Sequence, residues 1–359
     1  MKVGGKHYHS IWDEGGTVFC VDQSALPHEF QILNLKTMAD AAHAIRSMQV
    51  RGAPCIGATA AYGVALAMAA SAGEKALEHA LTTLGGTRPT AVNLRWALEE
   101  MRQALALLAP EERAEAALVK ARQICLDDIA ACERIGEHGA ALIREIAETK
   151  RGKPVNILTH CNTGWIACVD WGTAMAAIYK SHDAGIPIHV WVDETRPRLQ
   201  GALTAWELAA QGVPHHLITD NAGGLLMQRG EVDIAIVGAD RVTANGDVAN
   251  KIGTYLKALA SKEHQVPFYV ALPSTTIDWS LRSGAEITIE ERDESEILSV
   301  RGRTKTGALT EVEIASAGSA AHNPGFDITP ARFITALITE RGVAEASQKG
   351  LLGLYPERA

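Results

Sequence analysis

Residues 159 to 164 read THCNTG and close the apolar run Val155-Asn156-Ile157-Leu158 with a histidine, a thiol, an amide, a hydroxyl and a glycine. A second run, IAIVGA, delivers Asp240 and then Arg241. Cys161 and Asp240, each at the end of an apolar run, are candidates for a proton-handling pair. A carboxylate beside a buried strand end is desolvated, and its pKa rises toward the range in which it gives as well as takes a proton. A helix beginning after Cys161 would favour the thiolate and lower the ordinary thiol pKa of about 8.5. The alternatives are a cysteine packed as a small hydrophobe and an aspartate that caps or pairs with a cation. His160 either tunes the thiol or is a hydrogen-bonded structural histidine, and Cys168 reads as core.

Other residues suit an anion. In NGDVANKIGTY, Asn245-Gly246-Asp247 is a turn signal, and Asn250-Lys251 falls near a helix start, where a lysine and backbone N–H groups form an anion site. Arg51-Gly52-Ala53-Pro54 and Arg88-Pro89-Thr90 each join an arginine to a helix breaker. The planar guanidinium fork matches phosphate, although capping or bridging domains would use an arginine equally well.

These residues need a frame. From about Leu35 to Ile146, apolar residues recur at intervals of three and four, the pattern of a helix-rich layer. Ahead of it, alternation around Gly15-Gly16 predicts a small hairpin. The charged ETKRGKPVN stretch marks a boundary, giving an N-terminal hairpin-plus-helical domain over 1–150 and a second domain over 151–359. In the second domain the runs VNILTH, IHVWVD, HHLITD, DIAIVGAD and FYVALP alternate with helix-like stretches over 166–182, 203–211 and 255–264. That alternation predicts an α/β domain with a Rossmann-like, doubly wound parallel sheet, whose ligands bind beyond the carboxyl ends of the strands. Cys161 and Asp240 both fall at such ends. The tail EASQKGLLGLYPERA is expected to be mobile or to dock on a partner.

Composition excludes several classes. With 34 Lys and Arg against 42 Asp and Glu, the formal charge of −8 argues against a nucleic-acid surface and requires an anionic ligand to be met locally. The six cysteines form no CxxC pair and no zinc-type spacing, which reads as reduced thiols in a cytoplasmic protein without a metal site. The start MKVGGK has no apolar segment behind it and is not read as a signal peptide. The stretch APCIGATAAYGVALAMAA is long enough to test as a membrane span but is rich in Ala, Gly and Thr, so a buried helix is expected. No GxGxxG, GxxxxGK[ST] or GxSxG occurs, so a standard dinucleotide site, a P-loop and a nucleophile elbow are unsupported.

Taken together, RGAPCIGATAAYG, RPTAVNLRWAL, ILTHCNTG, ETRPRLQG, LTAWEL, VGADRVTANGDVANKIGTY, VPFYVALPSTTID, IEERDESE and NPGFDITPA resemble the methylthioribose-1-phosphate isomerases, aldose–ketose isomerases of methionine salvage. The resemblance implies Cys161 and Asp240 as the catalytic pair. It implies Arg51, Gly52, Ala53, Arg88, Gln200, Asn250 and Lys251 as the residues that hold the phosphorylated sugar. It also implies a homodimer without cofactor, and proton transfer between C2 and C1 through an enediol-type intermediate, with hydride transfer as the rival. Related isomerases act on 5-deoxyribose 1-phosphate or ribose 1,5-bisphosphate. The regulatory subunits of the translation initiation guanine nucleotide exchange factor share the fold and act by assembly. The segment LQGALTAWEL is one residue shorter than the LQGARLTAWEL of many members.

Overall fold

The computed structural model describes residues 1–88 and 91–359, so Pro89 and Thr90 of the RPT segment lie outside the described residues. The predicted hairpin forms from β1 (Ile11–Glu14) and β2 (Thr17–Val21), with Gly15 and Gly16 both at positive φ in the turn. A third strand, β3 (Ile32–Leu35), pairs antiparallel with β2, a pairing across a ten-residue loop that local alternation does not signal. The helical layer follows as α1 (Met38–Arg46), α2 (Ala53–Ala70), α3 (Glu74–Gly85), α4 (Val92–Leu105) and α5 (Pro110–Thr149). α1 starts at a Thr37–Asp40 capping box. α2, the segment long and apolar enough to cross a membrane, is buried continuously from Cys55 to Ala65 among its neighbours, as expected for a core helix.

The 40-residue α5 serves two cores. Ala117, Ala121, Ile124 and Cys125 pack into the helical layer, whereas Ile135 and Ile143 pack against the sheet domain. A Cβ on Gly139 would stand 2.5 Å from the Ala177 methyl, so glycine is what allows α6 (Ala174–Asp183) to approach α5 this closely.

The sheet domain opens with β4 (Val155–Thr159) before α6, then continues through β5 (Ile188–Asp193), α7 (Gln200–Ala210), β6 (His215–Ile218), α8 (Ala222–Gln228) and β7 (Ile234–Val237). A short antiparallel pair, β8 (Arg241–Thr243) and β9 (Val248–Lys251), interrupts before α9 (Thr254–Glu263) and β10 (Phe268–Ala271). Beyond these come β11 (Ile277–Asp278), an exposed ribbon of β12 (Ser299–Arg303) and β13 (Leu309–Glu313), β14 (Phe326–Thr329), β15 (Ala336–Thr339), β16 (Gly342–Ala344) and α10 (Gln348–Leu354).

The main sheet has seven strands in the order β16-β15-β10-β7-β4-β5-β6, parallel except for the β15–β16 pair. It is the doubly wound Rossmann-like sheet expected from the alternation. The order reverses between β4 and β7, which are neighbours, and the switch point lies beyond their carboxyl ends. A second sheet has four strands in the order β11-β8-β9-β14, and its strand β8 begins directly after Asp240. The fully buried strand β15 follows from the apolar run ALIT, which the sequence reading does not single out.

Two expectations change. The helix anticipated over 166–182 begins only at Ala174; before it the chain makes a 3₁₀ turn at Trp165–Ala167 and an irregular passage with Trp171 and Gly172 at positive φ. Cys168 is core nonetheless, 1% exposed within that passage. The tail docks on its own chain: Leu351 is buried in a core that Tyr355 completes against Trp279.

Asp128 of α5 accepts a hydrogen bond from Val169 N (2.7 Å), and burial pushes its carboxyl up to about 7 despite that bond. A carboxyl raised by folding contributes stability below its unfolded pKa, and that contribution is lost as pH rises through about 7. Asp128→Asn is therefore expected to gain in Tm over the wild type between pH 5 and pH 8. A Tm difference that is flat over this range contradicts the assignment.

Candidate active site

Strand ends and two helix starts converge on one cavity, lined by Arg51, Gly52, Arg88, Cys161, Gln200, Asp240 and Lys251 together with Arg198, Arg292, Asn162 and Phe326. Cys161 leaves β4 with φ +70°; its N–H donates to Thr195 Oγ1 (2.9 Å) and its carbonyl accepts from Thr204 Oγ1 (2.8 Å). Asp240 enters three residues beyond β7, its N–H donating to Ala249 O (2.9 Å). Adjacent strands thus bring together two groups 79 positions apart in sequence (240 − 161).

The cations come from different elements. Arg51 precedes α2, whose start depends on Gly52: φ is +88°, and a Cβ there would lie 2.2 Å from Ala167 O. Gln200 opens α7, and its amide, oriented to satisfy both ends, donates to Thr195 O (3.0 Å) and accepts from Arg51 Nη2 (3.3 Å). Lys251 ends β9 with Nζ 4.4 Å from the Phe326 ring centroid. Arg198 and Arg292 are additions from the structure. Both donate to Glu296 Oε1 at 2.6 Å, and these bonds outweigh its burial to bring that carboxyl to about 2. They lie in the segments ETRPRLQG and IEERDESE, but spacing alone does not show that two loops about a hundred residues apart meet. Two helix N-termini and five cationic side chains make an anion site.

A second lobe shares Gly52, Arg88, Asp240 and Phe326 with the first. Its walls add the apolar residues Ala53, Ile56, Ala91, Val92, Ile287 and Ile289, alongside Arg241, Thr288 and Glu290. Ala53 therefore faces this lobe. Asn250 is placed apart from both: its side chain donates to Thr254 Oγ1 (3.0 Å) in the 2% exposed interior.

The electrostatics reverse one expectation. No α-helix follows Cys161 directly, so no helix N-terminus lowers its pKa. Burial pushes the thiol up to about 11, although Lys251 and Arg51 oppose the rise. This direction favours the protonated thiol, an acid, over a nucleophilic thiolate. Burial also raises Asp240, drawn back by Lys251 and Arg88. Arg51 falls to about 10 through burial and its neighbour Arg198, and burial lowers Lys251 against the pull of Cys161 and Asp240.

Neighbouring motifs prove structural. His160 is fully buried, Nδ1 2.8 Å from Asp193 Oδ2 and Nε2 2.8 Å from Ile252 O, and so ties β4 to the loop after Lys251. Asp247 of the NGD turn accepts from Gly284 N and Ala331 N at 2.9 Å. Among the described residues, the groups able to ligate a metal are His7/His9/Asp170, Asp128/Cys132/Cys168 and His160/Asp193/Asp220. None of them lines the cavity, and the last already holds the Lys257 ammonium 3.1 Å from Asp193.

The model of the initiation factor 2 subunit family matches residues 49–346, and the chain belongs to that family. Within it, the chain is 60% identical to the methylthioribose-1-phosphate isomerase of Rhodospirillum rubrum over 368 aligned positions, covering 100% of this chain and 94% of that one. Its counterpart from Sinorhizobium medicae is 59% identical with full coverage of both. Among solved structures, the 5-methylthioribose 1-phosphate isomerase of Pyrococcus horikoshii OT3 superposes with a TM-score of 0.85 at 39% identity, over 98% of this chain and 97% of that one. The delta subunit of translation initiation factor eIF-2B from A. fulgidus gives 0.81 at 36% identity, over 98% and 100%.

Proposed function

We propose that the protein is an aldose–ketose isomerase converting 5-methylthioribose 1-phosphate to 5-methylthioribulose 1-phosphate, acting as a cytoplasmic homodimer in methionine salvage. The observation that carries this reading is the two-lobed cavity joined at Asp240. The cationic lobe suits the C1 phosphate. The more apolar lobe suits an uncharged 5-substituent better than a second phosphate, since Arg241 on its wall is engaged with Asp278 (3.5 Å), Arg88 faces Glu290 (3.7 Å), and the Glu290 carboxylate itself lines the lobe. The sugar carbons C1 and C2 then lie between the thiol and the carboxylate.

In this mechanism the Cys161 thiol gives its proton to the ring oxygen as the C1–O bond breaks. The Asp240 carboxylate removes the C2 proton, forming the C1=C2 enol with phosphate in place, and returns the proton to C1. The C2 hydroxyl proton goes back to the thiolate as the ketone forms, so both groups end as they began. Lys251 and Arg51 stabilise the thiolate formed in between, an electrostatic contribution that is large in a water-poor site.

The test is turnover of three substrates in parallel by the purified protein. We expect the methylthio sugar to exceed 5-deoxyribose 1-phosphate by roughly tenfold in kcat/KM, the discrimination that one or two additional apolar atoms supply. Ribose 1,5-bisphosphate should be the poorest. A preference for the bisphosphate refutes the assignment of the apolar lobe. The similarity to the A. fulgidus subunit favours a second reading, a non-catalytic assembly subunit, and absence of turnover with all three sugars would select it.

A further inference from the structure

The Cys161 turn rests on a buried carboxylate outside the cavity. Glu207 is on α7, one turn after Thr204, so the two side chains share a face of that helix. Thr204 accepts from Asn162 Nδ2 (3.1 Å) while donating to Cys161 O. Glu207 Oε1 accepts from Asn162 Nδ2 (2.8 Å), and Oε2 accepts from Trp165 N (2.9 Å) and Tyr179 Oη (2.7 Å). The residue is 0% exposed, and a Cβ on Gly164 would lie 1.8 Å from Oε2, so the carboxylate fills the space under the turn.

An ionised carboxylate is expensive to bury without an adjacent cation. Its hydrogen-bond partners are an amide, backbone N–H groups and a hydroxyl rather than an ammonium or guanidinium. A glutamine of the same shape would avoid the charge but would turn an N–H₂ against one of these donors. The site therefore calls for acceptors on both prongs, which hold residues 162 and 165 on either side of Gly164 and fix the left-handed conformation of Cys161. Burial pushes this carboxyl up to about 7, against the bonds from Asn162 and Tyr179.

We propose that Glu207 is a positioning residue for Cys161: through Asn162 and the Trp165 amide it sets where the thiol points, without touching substrate. This rests on the reading of Cys161 as the catalytic acid. The experiment compares Glu207→Gln with wild type in steady-state kinetics and in the rate of Cys161 alkylation by iodoacetamide, followed by peptide mass spectrometry. The other five cysteines are buried, so the signal belongs to Cys161.

We expect kcat to fall tenfold to a hundredfold with KM within twofold, because the cationic lobe is unaltered, and alkylation to quicken at least threefold as the turn loosens. Unchanged or slower alkylation with kcat within twofold, accompanied only by a lower Tm, would overturn the proposal. Should Glu207→Gln fail to fold, Tyr179→Phe removes one donor and must move both readouts in the same direction by a smaller factor; no movement overturns it equally. The two readings separate cleanly. Full activity in Cys161→Ala alongside faster alkylation in Glu207→Gln would remove the catalytic role of Cys161 and leave the positioning intact.

Discussion

Cys161→Ala and Asp240→Asn are each expected to lower kcat by about a hundredfold to ten-thousandfold, the range for loss of a positioned acid or base, while Tm stays close to that of the wild type. Both side chains border a cavity rather than fill the apolar core, so their removal leaves the packing of β4 and β7 intact. The two variants should not add. Each breaks one sequence of proton transfers, and the double variant should be little slower than the worse single one. Near-normal kcat in Cys161→Ala makes the thiol a packing residue. Near-normal kcat in Asp240→Asn means that the C2 hydrogen moves without a carboxylate, as a hydride route requires.

Lys251→Met should lower kcat/KM by roughly tenfold to a hundredfold, corresponding to about 1.5–3 kcal/mol for a charged hydrogen bond to phosphate. Methionine keeps the side-chain stem over Phe326 and deletes only the charge. A second effect follows from electrostatics. Lys251 opposes the burial that raises Asp240, so removing it lifts that carboxyl further. The acid limb of the kcat/KM profile, where Asp240 must be ionised, should therefore move to higher pH. Unchanged substrate affinity would exclude contact with the phosphate, and an unmoved acid limb would separate Lys251 from the titration of Asp240.

Much of this architecture was legible before folding was considered, because it is local. The apolar runs ending in Cys161 and Asp240 have the length and composition of buried parallel strands, and such strands place their following residues at a ligand-binding edge. Arg51 and Gly52 announce a helix start through the adjacent proline. Gln200 carried no local signal and entered only through resemblance, and the structure sets Asn250, read beside Lys251 near a helix start, away from the cavity wall.

What the sequence by itself determined was the alternation of elements, the chemistry at their ends and the need for a local cation cluster in a chain of charge −8. Only the tertiary structure decided that β4 and β7 are neighbours, that Arg198 and Arg292 meet on Glu296, and that the helix after Cys161 waits until Ala174. It also decided that Cys161 is a thiol of raised pKa. The physical reason is common to all of these. Strand order and ion-pair partners depend on contacts between residues far apart in sequence. A pKa depends on how much water those contacts exclude, and burial at the sheet edge raises Cys161 more than Lys251 and Arg51 lower it.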